Sequence, residues 1–329
     1  MKTRHFLSLM AGLMTLCQLS LSAQTGDYPY ASRVFTLDTD GNAAPLLNDS
    51  DRPTYNADGA LQGISGTTKA AVKVFLPKAE NNTGAAVIIL AGGGLMFHSW
   101  GNDVESMADW LNRRGVAVIG LKYTLGGAPQ RPQGPAPAAR PAAPAAPAGG
   151  APAMRLVLPD ITGFDQLKNA NCDPNMSGAP NPTLEAAADD ALHTIRMVRA
   201  HAKEWGIDPQ KVGYLGYSAG GGVAIAATLR ADAASMPNFL ASCYGPSLED
   251  VTVPENAPKL FIAVRAQHQN VAAGMLALYL AWKKAGVNAE MHIYDDGNGG
   301  FGPDDLGTSS GTWRESLFRW MQTNNYVPR

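Results

Sequence analysis

The chain has 329 residues, 45% of them apolar and 16% charged, and a formal net charge of −2. That length is enough for one large α/β domain with a substantial core. The near-neutral balance excludes the basic footprint of nucleic-acid binding, and the acidic excess is too small to attract cationic partners.

In chain order, the N-terminus comes first. Lys2 and Arg4 precede an almost uncharged apolar run from Phe6 to Leu21, and Ser22-Ala23 stands before Gln24. This is the pattern of a secretory signal peptide cleaved near Ala23, so a secreted or periplasmic protein is expected; a retained N-terminal anchor is the alternative. The run is short for a spanning helix, and no later segment approaches the roughly 20 apolar residues that a span needs. Cleavage leaves Cys172 and Cys243, which export would allow to pair, although spacing does not decide it. Neither cysteine and no histidine pair has metal-ligand spacing, so no metal is expected.

Residues 24–329 read as a single domain. Residues 24–68 are polar, with one strand candidate around Arg33–Leu37. Apolar strand-like runs follow at Ala71–Leu76, Ala86–Ala91, Val116–Tyr123, Val212–Tyr217, Phe239–Tyr244, Leu260–Val264 and Ala289–Tyr294. Several are apolar throughout, as strands covered on both faces are. The clearest helix spans about Thr183 to Glu204, with Thr183 as N-cap candidate and Leu184, Leu192, Ile195 and Val198 on its apolar face. Gly206 closes it. Strand–helix–strand repeats predict a mostly parallel central sheet with helices on both faces. The stretch 126–153 breaks the pattern with eight prolines between Pro129 and Pro152 among Ala, Gly, Arg and Gln. It reads as a solvated insertion, either inert or a cover at the ligand-binding edge of the sheet.

Gly216-Tyr217-Ser218-Ala219-Gly220 follows the run Val212–Tyr217 and opens a helical stretch through Ala227. Strand, tight turn and helix are the context that gives a G-x-S-x-G match a mechanism. The turn lifts the Ser218 hydroxyl above the sheet as a nucleophile and aims a helix N-terminus at it, so that the Ala219 amide can donate to an oxyanion. A second donor is expected from Gly93 or Gly94, because Ala86–Leu90 runs into Ala91-Gly92-Gly93-Gly94 and glycines past a strand end let backbone amides point into a site.

These motifs carry a resemblance. From Ala86 onward the chain resembles bacterial acetyl-xylan and feruloyl esterase-like α/β-hydrolases, on Gly92-Gly93-Gly94, Leu121-Lys122-Tyr123, Glu204 to Pro209, Gly216 to Gly220, Ala285-Gly286-Val287 and Gly300-Phe301-Gly302. The resemblance implies the α/β-hydrolase fold and ester hydrolysis without a cofactor, on a small-molecule or polysaccharide-borne ester. It also implies an acid after the penultimate strand and a histidine after the last. Here Gln267 and His268 stand where the acid is expected and Gly299 where the histidine is; none of the six histidines lies beyond His292, which sits inside a predicted buried strand.

A serine without an adjacent base is a poor nucleophile, and removing the histidine alone costs about as much as removing the whole triad, on the order of 10⁶ in turnover. Three alternatives therefore stay open. Histidine and carboxylate have exchanged loops, with His268 as base and Asp295 or Asp296 as its acid; His98 serves as base; or the protein is a silent relative that binds a glycan or ester ligand. His193 and His201, on the long helix, read as surface or packing residues. A prolyl-oligopeptidase-like peptidase is disfavoured because the segment before the first strands is too short for a gating propeller.

Overall fold

The computed structural model describes residues 28–126, 181–303 and 307–329. The signal-peptide segment, Cys172 and the Pro/Ala-rich insertion beyond Gly126 lie outside the described residues. Within them the strands are β1 (Ala31–Leu37), β2 (Arg52–Tyr55), β3 (Leu61–Ser65), β4 (Ala71–Pro77), β5 (Ala86–Leu90), β6 (Phe97–His98), β7 (Ala117–Lys122), β8 (Val212–Tyr217), β9 (Phe239–Cys243), β10 (Lys259–Arg265) and β11 (Ala289–Tyr294). The helices are α1 (Ser106–Asn112), α2 (Pro182–Ala200), α3 (Ala202–Trp205), α4 (Ala219–Arg230), α5 (Gln269–Lys284) and α6 (Trp313–Thr323).

The central sheet has eight strands in the order β1-β4-β7-β5-β8-β9-β10-β11. From β7 to β11 every pairing is parallel, while β4 runs antiparallel to both β1 and β7. Strands β5, β7, β8 and β9 are buried at every residue, which explains sequences that are apolar but for Lys122 and Ser242. Helix α1 packs on β4 and β7, α4 on β8 and β9 with α2 against it, and α5 and α6 on β10. The chain goes from β5 to β7 on one side and later returns to β8 on the other. Strand order therefore reverses at β5, and the loops leaving the C-terminal ends of β5 and β8 meet there. That is the crevice in which open α/β sheets bind ligands.

Three expectations need correction. The long helix is capped by Asn181, whose side chain accepts from the Thr183 and Leu184 amides at 3.1 and 3.2 Å; Pro182, not Thr183, opens it. It also stops at Ala200 and resumes as the single turn α3. At the break the His201 ring is hydrogen-bonded through Nδ1 to the Met197 carbonyl and stacks on Trp205 at 4.9 Å. Finally, β2, β3 and β6 form a second small sheet that the polar sequence 24–68 did not reveal. Its strands are short, and β2 is mostly exposed, so they carry little apolar pattern.

Candidate active site

Ser218 links the buried end of β8 to the first residue of α4. Its backbone sits at φ 49°, ψ −123°, a conformation that L-residues adopt only when the surroundings enforce it. Those surroundings can be named. The Ser218 amide donates to the Cys243 carbonyl on β9 at 3.0 Å, and its own carbonyl accepts from the Gly221 and Gly222 amides. The flanking glycines are required sterically. A Cβ at Gly216 would lie 2.4 Å from the Gly221 Cα, and one at Gly220 would lie 2.2 Å from the Leu90 carbonyl oxygen. Strain gathers here: three of the four described non-glycine residues with positive φ are Ser218, Leu95 in the loop after β5, and Tyr244 at the end of β9.

The loop after β5 lies directly against the serine. A Cβ on Gly92 would sit 3.1 Å from Ser218 Cβ. Gly93, at φ 139°, closes a tight turn by accepting from the Met96 and Phe97 amides. Its own amide has no acceptor among the described residues, and neither has that of Ala219, the first residue of α4, which lacks an intrahelical partner by position. Two N–H groups without acceptors thus belong to a glycine that lines the cleft with Ser218 and to the residue that follows it, the kind of donor pair that can receive a developing oxyanion. Of the two glycines expected as second donor, Gly93 lines the cleft; Gly94 does not.

The cleft itself encloses about 260 Å³ and is lined by Gly92, Gly93, Ser99, Asn102, Asp103, Ser218, Tyr244 and the loop Gly300–Gly302. Asp103 went unnoticed in the sequence. It sits in a π-helical turn, Gly101–Glu105, that leads into α1. Such turns often mark functional sites, but nothing in the residue pattern announces one. Its carboxylate is 2% exposed and accepts from the Gly92 amide at 2.8 Å and from Asn102 Nδ2 at 2.7 Å. Burial pushes its carboxyl up to about 6, against the lowering effect of those two hydrogen bonds.

The exchanged-loop alternative does not form. His268, the N-cap of α5, packs its ring 5.9 Å from that of Tyr244. Its Nδ1 is buried with no partner among the described residues, and burial and the Arg265 charge both push its imidazole down, towards the neutral form. Asp295 is hydrogen-bonded by Gln267. Asp296 is committed to Arg265, whose Nε lies 3.0 Å away, and to Ser309 and the Ser310 amide. Burial alone would raise the Asp296 carboxyl, but these bonds hold it at about 2. Neither aspartate turns to His268. At the expected histidine position Gly299 brings no side chain, and two residues on Phe301 lines the cleft and packs on Tyr244 at 4.9 Å.

The other histidines are equally remote from the chemistry. His98 is fully buried, bonded through Nε2 to the Tyr123 carbonyl, held neutral by burial with its pKa down at about 3, and absent from the cleft lining. His292 lies on β11, an edge strand and not a buried one, half-exposed beside Glu290. His193 is exposed, and His201 packs on Trp205 as described. Cys243 is fully buried on β9. No cluster of metal-ligating side chains occurs among the described residues, and no described helix is long and apolar enough to cross a membrane.

Comparison with known proteins bears on the same elements. Residues 172–292 match a family model described as alpha/beta hydrolase fold. An acetylxylan esterase of Xylanibacter ruminicola is 23% identical over 294 residues, covering 77% of this chain; the chain spans about half the length of that relative. Among solved structures, an acetyl ester-xyloside bifunctional hydrolase from Caldicellulosiruptor lactoaceticus superposes with a TM-score of 0.55 at 18% identity, over 86% of this chain and 96% of the other. A thermophilic esterase from Thermogutta terrifontis gives 0.54 at 16% identity, over 86% and 94%.

Proposed function

The chain has the α/β-hydrolase fold, and from that premise we propose that it is a secreted serine-type carboxylic ester hydrolase acting through Ser218 on acylated carbohydrate or small esters. The observation that carries the reading is the strained turn at Ser218, flanked by the unpaired amides of Gly93 and Ala219. Strain of this kind persists only where the surroundings over-determine it, and here it holds one hydroxyl at the mouth of a cleft. An ester carbonyl with its oxygen between the two amides presents its carbon to Ser218 Oγ. Attack develops negative charge on that oxygen, where the donors already point. The names of the similar acetylxylan esterase and acetyl ester-xyloside hydrolase support an acetylated sugar as the substrate class. The apolar run Phe6–Leu21 ending at Ala23 supports export.

A fluorophosphonate probe tests the reading directly. The wild type is expected to label and to hydrolyse p-nitrophenyl acetate, while Ser218→Ala does neither. A wild type that stays dark, yet binds xylo-oligosaccharides by calorimetry, would establish the silent binder instead. The Ser218 hydroxyl has no imidazole hydrogen-bonded to it among the described residues, and this favours that second reading. N-terminal sequencing of the exported protein should begin at Gln24.

A further inference from the structure

The structure leaves Ser218 without an imidazole but not without a proton acceptor. Resting on the reading of Ser218 as nucleophile, we propose that Asp103 is its general base, a carboxylate acting where the family resemblance implies a histidine. Asp103 is the one carboxylate that lines the cleft together with Ser218 among the described residues. Its Oδ2 and the Ser218 Cβ lie 3.4 and 3.1 Å from the same point, the position that a Cβ on Gly92 would occupy. The missing side chain of Gly92 is what lets the two approach each other. The carboxylate oxygen and Ser218 Cβ therefore lie no more than about 6.5 Å apart, a gap that a hydroxyl turned towards Gly92 and one bridging water can span, which is within the reach of a general base.

The electrostatics suit the role. Both hydrogen bonds to Asp103 come from neutral donors, the Gly92 amide and the Asn102 side-chain amide, so the carboxylate is not neutralised by a cation as Asp296 is. The ionisable groups that face it are the phenols of Tyr123, Tyr217 and Tyr244 and the thiol of Cys243, all pushed up by burial and therefore uncharged. On its own turn, Glu105 is directed to Lys73, Tyr28 and Trp100 instead. A base with its pKa near 6 is ionised at neutral pH and still basic enough to take a proton in the transition state.

The steps balance. As Ser218 Oγ bonds to the acyl carbon, its proton passes to Asp103 and the carbonyl π pair moves to the oxygen between the Gly93 and Ala219 amides. Charge is thereby relocated from carboxylate to oxyanion and not doubled. When the intermediate collapses, the C–O bond to the leaving alcohol breaks and Asp103 returns the proton to that oxygen. Water then attacks the acyl-serine, loses its proton to Asp103, and Ser218 departs by regaining it.

Asp103→Asn separates base from brace, because an asparagine oxygen still accepts from the Gly92 amide but takes up no proton. With p-nitrophenyl acetate as probe, kcat should fall at least 100-fold with KM within about threefold, in line with the 10²–10⁴ that general-base catalysis contributes. Wild-type kcat/KM should rise with pH through a single ionisation near 6. An Asp103→Asn enzyme within a few-fold of wild type overturns the proposal and leaves Asp103 a brace for the loop. So does a wild-type profile that is flat between about pH 4.5 and 8, a measurement that does not depend on the variant folding. If Ser218→Ala is inactive while Asp103→Asn is active, only the base assignment fails. If Ser218→Ala hydrolyses as fast as wild type, the nucleophile fails and takes the base with it.

Discussion

Two edges of the same cleft are built on opposite principles. At the β5/β8 edge the backbone does the work: glycines at 216 and 220 permit approaches that any Cβ would block, Gly92 leaves little room for one, and the chain accepts strain at Ser218 to present one hydroxyl to the cleft. At the β10/β11 edge, side chains do the work, and they serve stability. Arg265 bonds Asp296, the Ser310 hydroxyl and the Gly300 carbonyl, tying the end of β10 to the loop after β11 and to the approach to α6. The family resemblance puts an acid and a histidine on those two loops; this chain has a brace there. An oxyanion hole and a proton acceptor are therefore separable parts, since the first is encoded in backbone geometry and the second in a few replaceable side chains.

The largest test tries to rebuild the second edge as a triad. His268→Asp with Gly299→His places an acid and an imidazole at the positions the resemblance implies. A Cβ at Gly299 meets nothing within 4 Å, so there is room, although φ of 81° there costs a histidine about 1 kcal/mol. The double variant should hydrolyse p-nitrophenyl acetate at least 100-fold faster than wild type, a fraction of what a complete triad is worth. A folded variant with no gain would show that Tyr244 and Phe301 close the space an imidazole needs.

Next in size is the brace. Its two partners are nearly buried, with side chains 10% and 12% exposed, so removing one strands the other. Arg265→Ala should lower unfolding free energy by about 3 kcal/mol in urea. A loss below about 1 kcal/mol would mean that the loop after β11 holds by its aromatic contacts alone. The pH dependence has a definite sign. A carboxyl held down at about 2 stabilises the fold fully above the ordinary aspartate value near 4, and this contribution is lost as pH falls towards 2. Arg265→Ala should flatten the wild-type decline in that window.

How much of this was legible follows from the same contrast. Continuous apolar runs revealed the central strands because burial on both faces leaves no polar alternation, and Gly-Tyr-Ser-Ala-Gly marked its turn because the steric demand for glycine is local. The β2-β3-β6 sheet was hidden by the shortness of its strands, too few residues to show a period. Asp103 was hidden for a different reason: its role depends on a π-helical turn and on the empty side-chain position of Gly92, two facts that only the folded chain brings together. Asp295, Asp296 and His268 were visible in the sequence, but Asp296 is claimed by Arg265 and Asp295 by Gln267, and no spacing rule supplies either pairing across the two loops.

The last prediction compares the two aspartates directly. Burial would raise the Asp296 carboxyl, but the Ser310 amide, the Ser309 and Ser310 hydroxyls and the Arg265 guanidinium hold it down, whereas Asp103 is pushed up by burial to about 6. A carboxyl raised in the folded state means that the native protein binds a proton more tightly than the unfolded chain does, so stability falls as pH rises from about 4 through 6 and stays lower above. Relative to the ordinary aspartate value near 3.9, that shift costs on the order of 3 kcal/mol at pH 8. Asp103→Asn carries no such charge and should therefore be more stable than wild type at pH 8, with the two melting temperatures converging below about pH 4. Were Asp103→Asn the less stable protein at both pH values, the bond from the ionised carboxylate to the Gly92 amide would outweigh the cost of burying its charge. Asp103 would then join Arg265 as a brace, and both edges of the cleft would be built for rigidity. Stabilisation at pH 8 alone, together with lost turnover, would mean that the fold tolerates a buried negative charge beside Ser218 for the chemistry it performs.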